Sequence, residues 1–325
     1  MKIGNVILKH GIFLAPMAGV TDITARKIYK KYGAEYMTTE MVSAAAMHYG
    51  DKKTFELAEM SADEYPCAVQ IFGHDPEMMG QAAKTLEKMA VPPCAIDINM
   101  GCPVKKIVGG GDGSALMKSP VLTGKIIEKT VLSCSLPVTV KIRTGFDGSH
   151  KNAVEIAKIA ESSGASCICV HGRTREDMYI DGTVDREIIA EVKRAVNIPV
   201  VANGDITDAE SFVEMLRYTG CDGGAVGRAA LGNPFIFEEI NARLEGRTYT
   251  PPTPEQRLTG ALEHMRALVK QKGALGVFES RKHVGWYTKG IRGGAAVREK
   301  INRAETAEKM EIILKEAMLS VKGEI

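Results

Sequence analysis

The chain has no Cys-x-x-Cys pair and no Cys/His spacing of the kind that holds zinc, so neither a thioredoxin-like redox pair nor a structural metal is expected. Its 7 cysteines are an odd number without paired spacing, which excludes a disulfide framework and points to a reducing compartment, the cytoplasm. No apolar run approaches the roughly 18 to 20 residues that a membrane span requires. The N-terminal "MKIGNVILKHGIFLAPMAGVTD" has an apolar patch, but Lys9 and His10 split it and Asp22 follows, so it reads as a first strand rather than a signal peptide. No Gly-x-Gly-x-x-Gly follows that strand, which argues against a tightly held dinucleotide fold. The glycine cluster "GGGDGS" lacks the Lys-Ser/Thr of a phosphate-binding P-loop.

What is present suits a soluble globular protein. At 325 residues, with 45% hydrophobic and 25% charged residues, the chain can bury a large core in one or two domains. Its mean hydropathy is -0.08. The net charge of +2 is unevenly spread: from Pro254 onward there are 14 Lys and Arg against 9 Asp and Glu. Between Arg281 and Arg303 lie seven basic residues and one acid, Glu299. Such a run is either a solvated helix face or a surface for a phosphate backbone.

Short runs rich in Val, Ile and Cys alternate with longer amphipathic stretches. The strand candidates are "IFLAPM", "EYMTTEMV", "CAVQIFG", "AIDINM", "VTVKIRT", "CICVHG", "IPVVANG" and "GGAVGRA". Helical patterns fall at 76–89, 121–134, 153–163, 185–196 and 208–218, the last with Thr207 as its cap and Glu210 three residues on. The stretch after the second strand is short for a full helix. Eight strands with crossovers in about 240 residues predict a (β/α)8 TIM barrel over 1–245. A doubly wound open sheet is the alternative. The proline-bearing "EGRTYTPPTPEQR" then leads into a small helical domain, 246–325.

In such a barrel, chemistry collects at the C-terminal ends of the strands. Those ends carry Pro16, Met17 and Ala18; Gln70; Asn99 and Cys102; Lys141 and Arg143; His171 and Arg173; Asn203, Gly204 and Asp205; Gly227 and Arg228. Each has a plain structural explanation singly, but their density at one rim predicts a site. The seventh and eighth strand ends suit a phosphate: Gly204 and Gly227 allow close backbone approach, and Arg228 offers a fork of donors. Lys141 suits a flavin, whose reduced form is anionic along one edge, and Gln70 has both donor and acceptor for an amide-like ring edge.

The motifs "LAPMAGVTD", "QIFG", "DINMGCP", "VKIRTG", "VHGRTR", "VANGDI" and "VGRAALGNP", in this order, resemble the tRNA-dihydrouridine synthases, particularly the bacterial B-type branch. The resemblance runs from about residue 10 to 240 and resumes at "RKHVGWYTKGI". One departure is "GTVDREI", with Arg186 where that family usually carries an aromatic-containing stretch ending Asp-Trp. The resemblance implies an FMN enzyme that reduces the C5–C6 double bond of particular uridines in tRNA, with NADPH as transient reductant. By motif match, FMN would be held by Pro16, Met17, Ala18, Gln70, Lys141, His171, Asn203, Gly204, Asp205, Gly227 and Arg228. Cys102 would be the proton donor, and Asn99 and Arg173 would contact the uracil.

A thiol suits that role, because an ordinary cysteine, with a pKa near roughly 8.5, is mostly protonated at neutral pH, whereas a carboxylic acid is normally ionised. Lys105 and Lys106, in front of the glycine loop, and Arg281 and Lys282 in the tail are the expected phosphate contacts. Trp286 is read as core packing of the helical domain, with base stacking as the alternative. No metal or membrane partner is expected, and the protein is taken as a monomer. Two other functions fit parts of the pattern. A flavin barrel acting on a free pyrimidine, like a dihydroorotate dehydrogenase, would not need the basic tail. A non-catalytic nucleic-acid-binding regulator would not need Lys141, Gln70 and Cys102.

Overall fold

The structure is a computed structural model and describes residues 1–322. The chain divides into two compact units: Met1–Arg26 with Ala34–Gly227, and Lys27–Gly33 with the chain from Arg228 onward. In the first unit eight parallel strands close into a barrel: β1 (Ile12–Leu14), β2 (Tyr36–Ser43), β3 (Cys67–Phe72), β4 (Ile96–Met100), β5 (Val138–Gly145), β6 (Cys167–Thr174), β7 (Val200–Asn203) and β8 (Gly223–Val226). This is the (β/α)8 barrel expected from the strand count.

Two-residue periodicity sorts the strand residues. Asp97, Thr139, Lys141, Cys167 and Cys169 line a small lumenal cavity of about 30 Å3. The alternating Ile96, Ile98, Ile142 and Ile168 face the other way, and all four are 0% exposed. Register then decides which polar groups share a level. Gln70 pairs with Asp97 and Asp97 with Thr139; Asn99 pairs with Lys141; His171 bridges Arg143 and Asn203.

The N-terminal apolar patch is not one strand. Lys2–Ile3 and Val6–Ile7 form an antiparallel hairpin, and the first barrel strand is only three residues long. Ile3, Val6 and Leu8 from this segment cluster with Phe13, Tyr36 and Val201 of the barrel. The continuation "APM" is loop, since Pro16 cannot donate to a ladder. The crossover after β2 is broken into Ala44–His48, Lys52–Ala58 and a single 3-10 turn, Ala62–Glu64. In the crossover after β7 the cap is Asp208 rather than Thr207. Its carboxylate accepts from the Ser211 N–H while the Ser211 hydroxyl accepts from the Asp208 N–H, so the helix starts at Ala209.

The second unit holds four tail helices, α1 (Pro254–Lys272), α2 (Ala274–Tyr287), α3 (Gly294–Arg303) and α4 (Ala307–Lys322). Thr253 and Gln256 form a capping box at the start of α1, with Pro254 in the first turn. Leu258, Met265, Val284, Ile301 and Leu314 belong to one apolar core. A Cβ at Gly276 would come within 2.3 Å of the Leu268 carbonyl, so the turn between α1 and α2 closes only with glycine there. Among the described residues, no helix is long and apolar enough to cross a membrane.

This core also contains two buried imidazoles, His264 and His283, with ring centroids 4.4 Å apart. Burial holds His283 neutral and, aided by His264, Lys282 and Lys272, lowers its pKa from 6.5 to about 2. A folded-state pKa below the unfolded one gives stability that is present above pH 6.5 and lost as pH falls below it. At pH 5 the loss from this group should be about 2 kcal/mol. Thermal unfolding of the full chain at pH 7.5 and 5 should show this, and His283→Phe should shrink the difference. An undiminished pH dependence in that variant would mean that other groups cause it.

Candidate active site

β4 ends at Met100, and the chain is turned at once by its own side chain. The Asn99 Oδ1 accepts from the N–H of Gly101 at 3.2 Å and of Cys102 at 2.9 Å. The segment that returns after the glycine cluster presses on this turn. Ser114 donates to the Cys102 carbonyl through both its hydroxyl, at 2.9 Å, and its N–H, at 3.1 Å. Gly113 has φ +59°, and a Cβ there would lie 2.9 Å from the Cys102 carbonyl oxygen and 3.0 Å from its Cβ. Only glycine permits this contact. Between the two lies a short helix, Lys105–Gly109, with Lys105 and Lys106 exposed at its start. Cys102 itself is half-buried. Burial raises its thiol pKa above the ordinary 9.0, against smaller opposing effects of the Val104 N–H, Arg143 and Lys141.

The orientation of Asn99 is inherited from deeper in the barrel. Asp97 is buried, and its carboxylate accepts from the Gln70 Nε2 at 2.6 Å and the Thr139 Oγ1 at 2.6 Å. A carboxylate can only accept, so the Gln70 amide must turn its nitrogen inward and its oxygen towards Asn99. That oxygen takes the Asn99 Nδ2 at 2.8 Å, leaving the Asn99 oxygen for the Cys102 turn. Burial raises the Asp97 pKa, while the Gln70 and Thr139 donors and Lys141 pull it down.

Beside this chain Lys141 donates to the Asn203 Oδ1 at 3.0 Å, and the Asn203 Nδ2 is anchored on the Ala225 carbonyl at 2.8 Å. Burial lowers the Lys141 pKa from 10.5. Gly204 follows with φ +124°, and a Cβ there would meet Val184 at 2.8 Å and His171 at 3.1 Å. At Gly227 the added Cβ would meet only Ala15, at 3.9 Å, so that backbone faces open space. Arg228 is exposed and opens a 3-10 turn. Pro16 and Met17 are half-buried and Ala18 is exposed. The Met17 carbonyl accepts from the Val20 and Thr21 N–H groups at 3.0 Å.

Arg173 is 1% exposed and lies beneath the rim, bonded to His171 and Asp205, both of them expected site residues. Arg143, a rim residue to which the sequence reading attaches no role, is 2% exposed. It donates to the carbonyls of Gly101, Thr174 and Met178 at 2.7, 2.8 and 2.9 Å, tying the Cys102 turn to the loop after β6. Its guanidinium lies 5.4 Å from the ring of Tyr179, which is 49% exposed. Sequence reasoning missed Tyr179, because a single aromatic residue in a loop has no periodicity to mark it.

In the second unit Lys282 is exposed, whereas Arg281 is half-buried. Arg281 donates to the Ala304 carbonyl at 2.7 Å and lies 4.7 Å from the ring of Phe278. Trp286 is half-buried, its ring nearly perpendicular to that of His283 with centroids 5.1 Å apart.

The donor set of the first unit fits a flavin. Lys141 has one hydrogen bond to Asn203 and further N–H groups to offer; Gln70 keeps a second N–H and a second lone pair; Gly204 and Gly227 keep the backbone bare where a side chain would intrude. Among the described residues no group of three or more His, Cys, Asp or Glu is placed to hold a metal ion.

A sequence model of the dihydrouridine synthases matches residues 13–322. A probable tRNA-dihydrouridine synthase of Rickettsia conorii is 43% identical over 305 residues, covering 93% of this chain and 91% of its own. The tRNA-dihydrouridine synthase B of Pseudomonas putida is 41% identical over 310 residues, covering 95% and 91%. Among solved structures, the histamine dehydrogenase of a Rhizobium strain shares the fold, with a TM-score of 0.58 at 13% identity over 82% of this chain and 50% of that one. The match over nearly the whole chain, together with these relatives, shows that it belongs to the dihydrouridine synthase family.

Proposed function

We propose that this protein is a tRNA-dihydrouridine synthase that binds FMN, takes its electrons from NADPH and reduces the C5–C6 double bond of uridines in tRNA, with Cys102 as the proton donor. The observation that carries the reading is the buried run from Asp97 through Gln70 and Asn99 to the Cys102 turn, with Lys141 beside it. Bound flavin supplies the hydride that adds to C6 of the uracil. The charge that then develops at C5 needs a proton from a placed acid. Cys102 suits this, because burial keeps its thiol protonated through neutral pH, and the Asn99 side chain fixes where the thiol sits.

Lys141 would put positive charge next to the ring edge that becomes anionic on reduction. Gln70 would meet the amide-like edge. Pro16, Met17 and Ala18 form the loop after β1, while Asn203 orients Lys141. Gly204 and the consecutive Gly227 and Arg228 are assigned to the phosphate. His171 and Asp205 complete the set. Asn99 is assigned to the uracil as well as to the thiol, and Arg173 to support beneath the site.

tRNA is assigned to Lys105 and Lys106 on the barrel unit and to Lys282 in the tail, with Arg281 dividing its donors between RNA and the Ala304 carbonyl. Phosphate contacts of this kind position an RNA without reading its sequence. Residues 1–245 are assigned as the catalytic domain and residues 246–325 as the tRNA-binding one. The protein is proposed to work as a monomer in the cytoplasm and to need no metal. A free-pyrimidine enzyme leaves the basic tail without a purpose, and a regulator leaves the Cys102 relay without one.

Acid or heat denaturation of the purified protein should release FMN quantitatively, identified by chromatography against FMN and FAD; recovery of FAD, or of no flavin after reconstitution, would overturn the cofactor assignment. Cys102→Ala should keep its flavin and its NADPH oxidation yet form dihydrouridine about 10²- to 10⁴-fold more slowly. The wild-type rate should hold up to about pH 9 and fall above it, as the thiol titrates. A variant rate equal to wild type would place the proton donor elsewhere. Lys282→Glu should weaken tRNA binding and flatten its dependence on salt by about one unit of log–log slope, with flavin content unchanged. Identical slopes for variant and wild type would remove this lysine from the RNA surface.

A further inference from the structure

The sequence places Arg173 at the substrate, but the structure turns every part of its guanidinium to the protein. Its Nη2 donates to both carboxylate oxygens of Asp205, each at 2.7 Å. Its Nε donates to the Ile180 carbonyl at 2.8 Å and the Thr183 hydroxyl at 3.0 Å. Its Nη1 lies 3.2 Å from the Nε2 of His171, and both residues are buried.

That last contact has only one chemical solution. A guanidinium has five N–H donors and no acceptor, and it stays protonated at any pH at which the protein folds. The His171 Nε2 must therefore accept, so it carries no proton, and the ring's single proton sits on Nδ1. An imidazolium would set an N–H against an N–H, with two cations at 3.2 Å. The guanidinium cannot turn away, because Asp205, Ile180 and Thr183 hold its other nitrogens. Asp205 is in turn held: its Oδ2 accepts from the Gly182 N–H at 3.2 Å, and its own backbone sits at φ +48°. Gly204 leaves no room for a side chain beside the ring, since a Cβ there would come within 3.1 Å of the His171 Cδ2.

We infer that Arg173 is a positioning residue that fixes His171 as a neutral imidazole protonated on Nδ1, so that the flavin ring meets one cation, Lys141, and one uncharged histidine donor. The tautomer follows from the contacts alone; its consequence for the cofactor rests on the flavin reading above. A second cation beside Lys141 would favour the anionic reduced flavin further and make it a weaker hydride donor. A fixed neutral donor contributes a hydrogen bond without that penalty.

The test is histidine-labelled ¹⁵N NMR of the flavin-loaded wild type at pH 7, with the His171 signals identified by their loss in His171→Gln. The expected pattern is a protonated Nδ1 and an unprotonated Nε2. In Arg173→Met the preference should be lost, giving the opposite tautomer or the imidazolium. Arg173→Lys, which restores a donor to Nε2, should recover the wild-type tautomer. An imidazolium or an Nε2-protonated ring in the wild type overturns the inference, and that measurement needs no variant to fold. An unchanged tautomer in Arg173→Met overturns it too. If the purified protein holds no flavin, the cofactor reading fails instead, and the same spectrum of the flavin-free protein still decides the tautomer.

Discussion

Asp97 places a carboxylate inside the barrel, where water cannot solvate it freely and only hydrogen-bond donors are tolerated beside it. An ionised group left unpaired in such a place would cost several kcal/mol. The surrounding side chains answer with donors, Thr139 from β5 and Gln70 from β3. Because an amide has one donating and one accepting end, satisfying Asp97 decides the orientation of Gln70, which decides that of Asn99, which decides which backbone N–H groups the Asn99 oxygen can reach. The position of Cys102, at the rim, is thus set by a charge at the floor. A carboxylate in place of the Gln70 amide would set acceptor against acceptor at Asp97.

The cationic side chains obey the same constraint in a different way. Arg143 and Arg173 are nearly fully buried; Arg143 directs its donors at carbonyls, and Arg173 at a carboxylate, a carbonyl, a hydroxyl and a ring nitrogen, so neither charge is left without acceptors. Lys141 is the exception. Burial lowers its pKa, and one hydrogen bond to Asn203 leaves donors over. A site built to meet developing negative charge needs a cation of this kind, held in place but not saturated by its own protein.

Much of the barrel was legible from the chain. Strands buried on both faces must be near-continuous in Val, Ile and Cys, and eight such runs with crossovers leave few topologies. The misreadings have local causes. "IFLAPM" looks like one long strand, but the proline in it cannot join a ladder and the strand stops at Leu14. Thr207 and Asp208 are both good caps, and the choice between them fell to the one whose side chain closes a box with Ser211. Arg281 belongs to a basic run that suggests RNA, yet part of its guanidinium goes to the carbonyl that ends α3, because helix ends leave acceptors unsatisfied.

The order of motifs along this chain determined by itself that a thiol, a lysine, a glutamine and two glycine-rich turns would lie at the ends of parallel strands, because strand ends are set by local periodicity and by where glycine and proline interrupt it. Only the tertiary structure decided what each polar group faces. Arg173 and Arg143 sit in equally promising sequence positions, as does Lys141. Yet the two arginines point into protein and the lysine keeps donors for a ligand, since burial and register across neighbouring strands, which no single strand encodes, set the acceptors within reach.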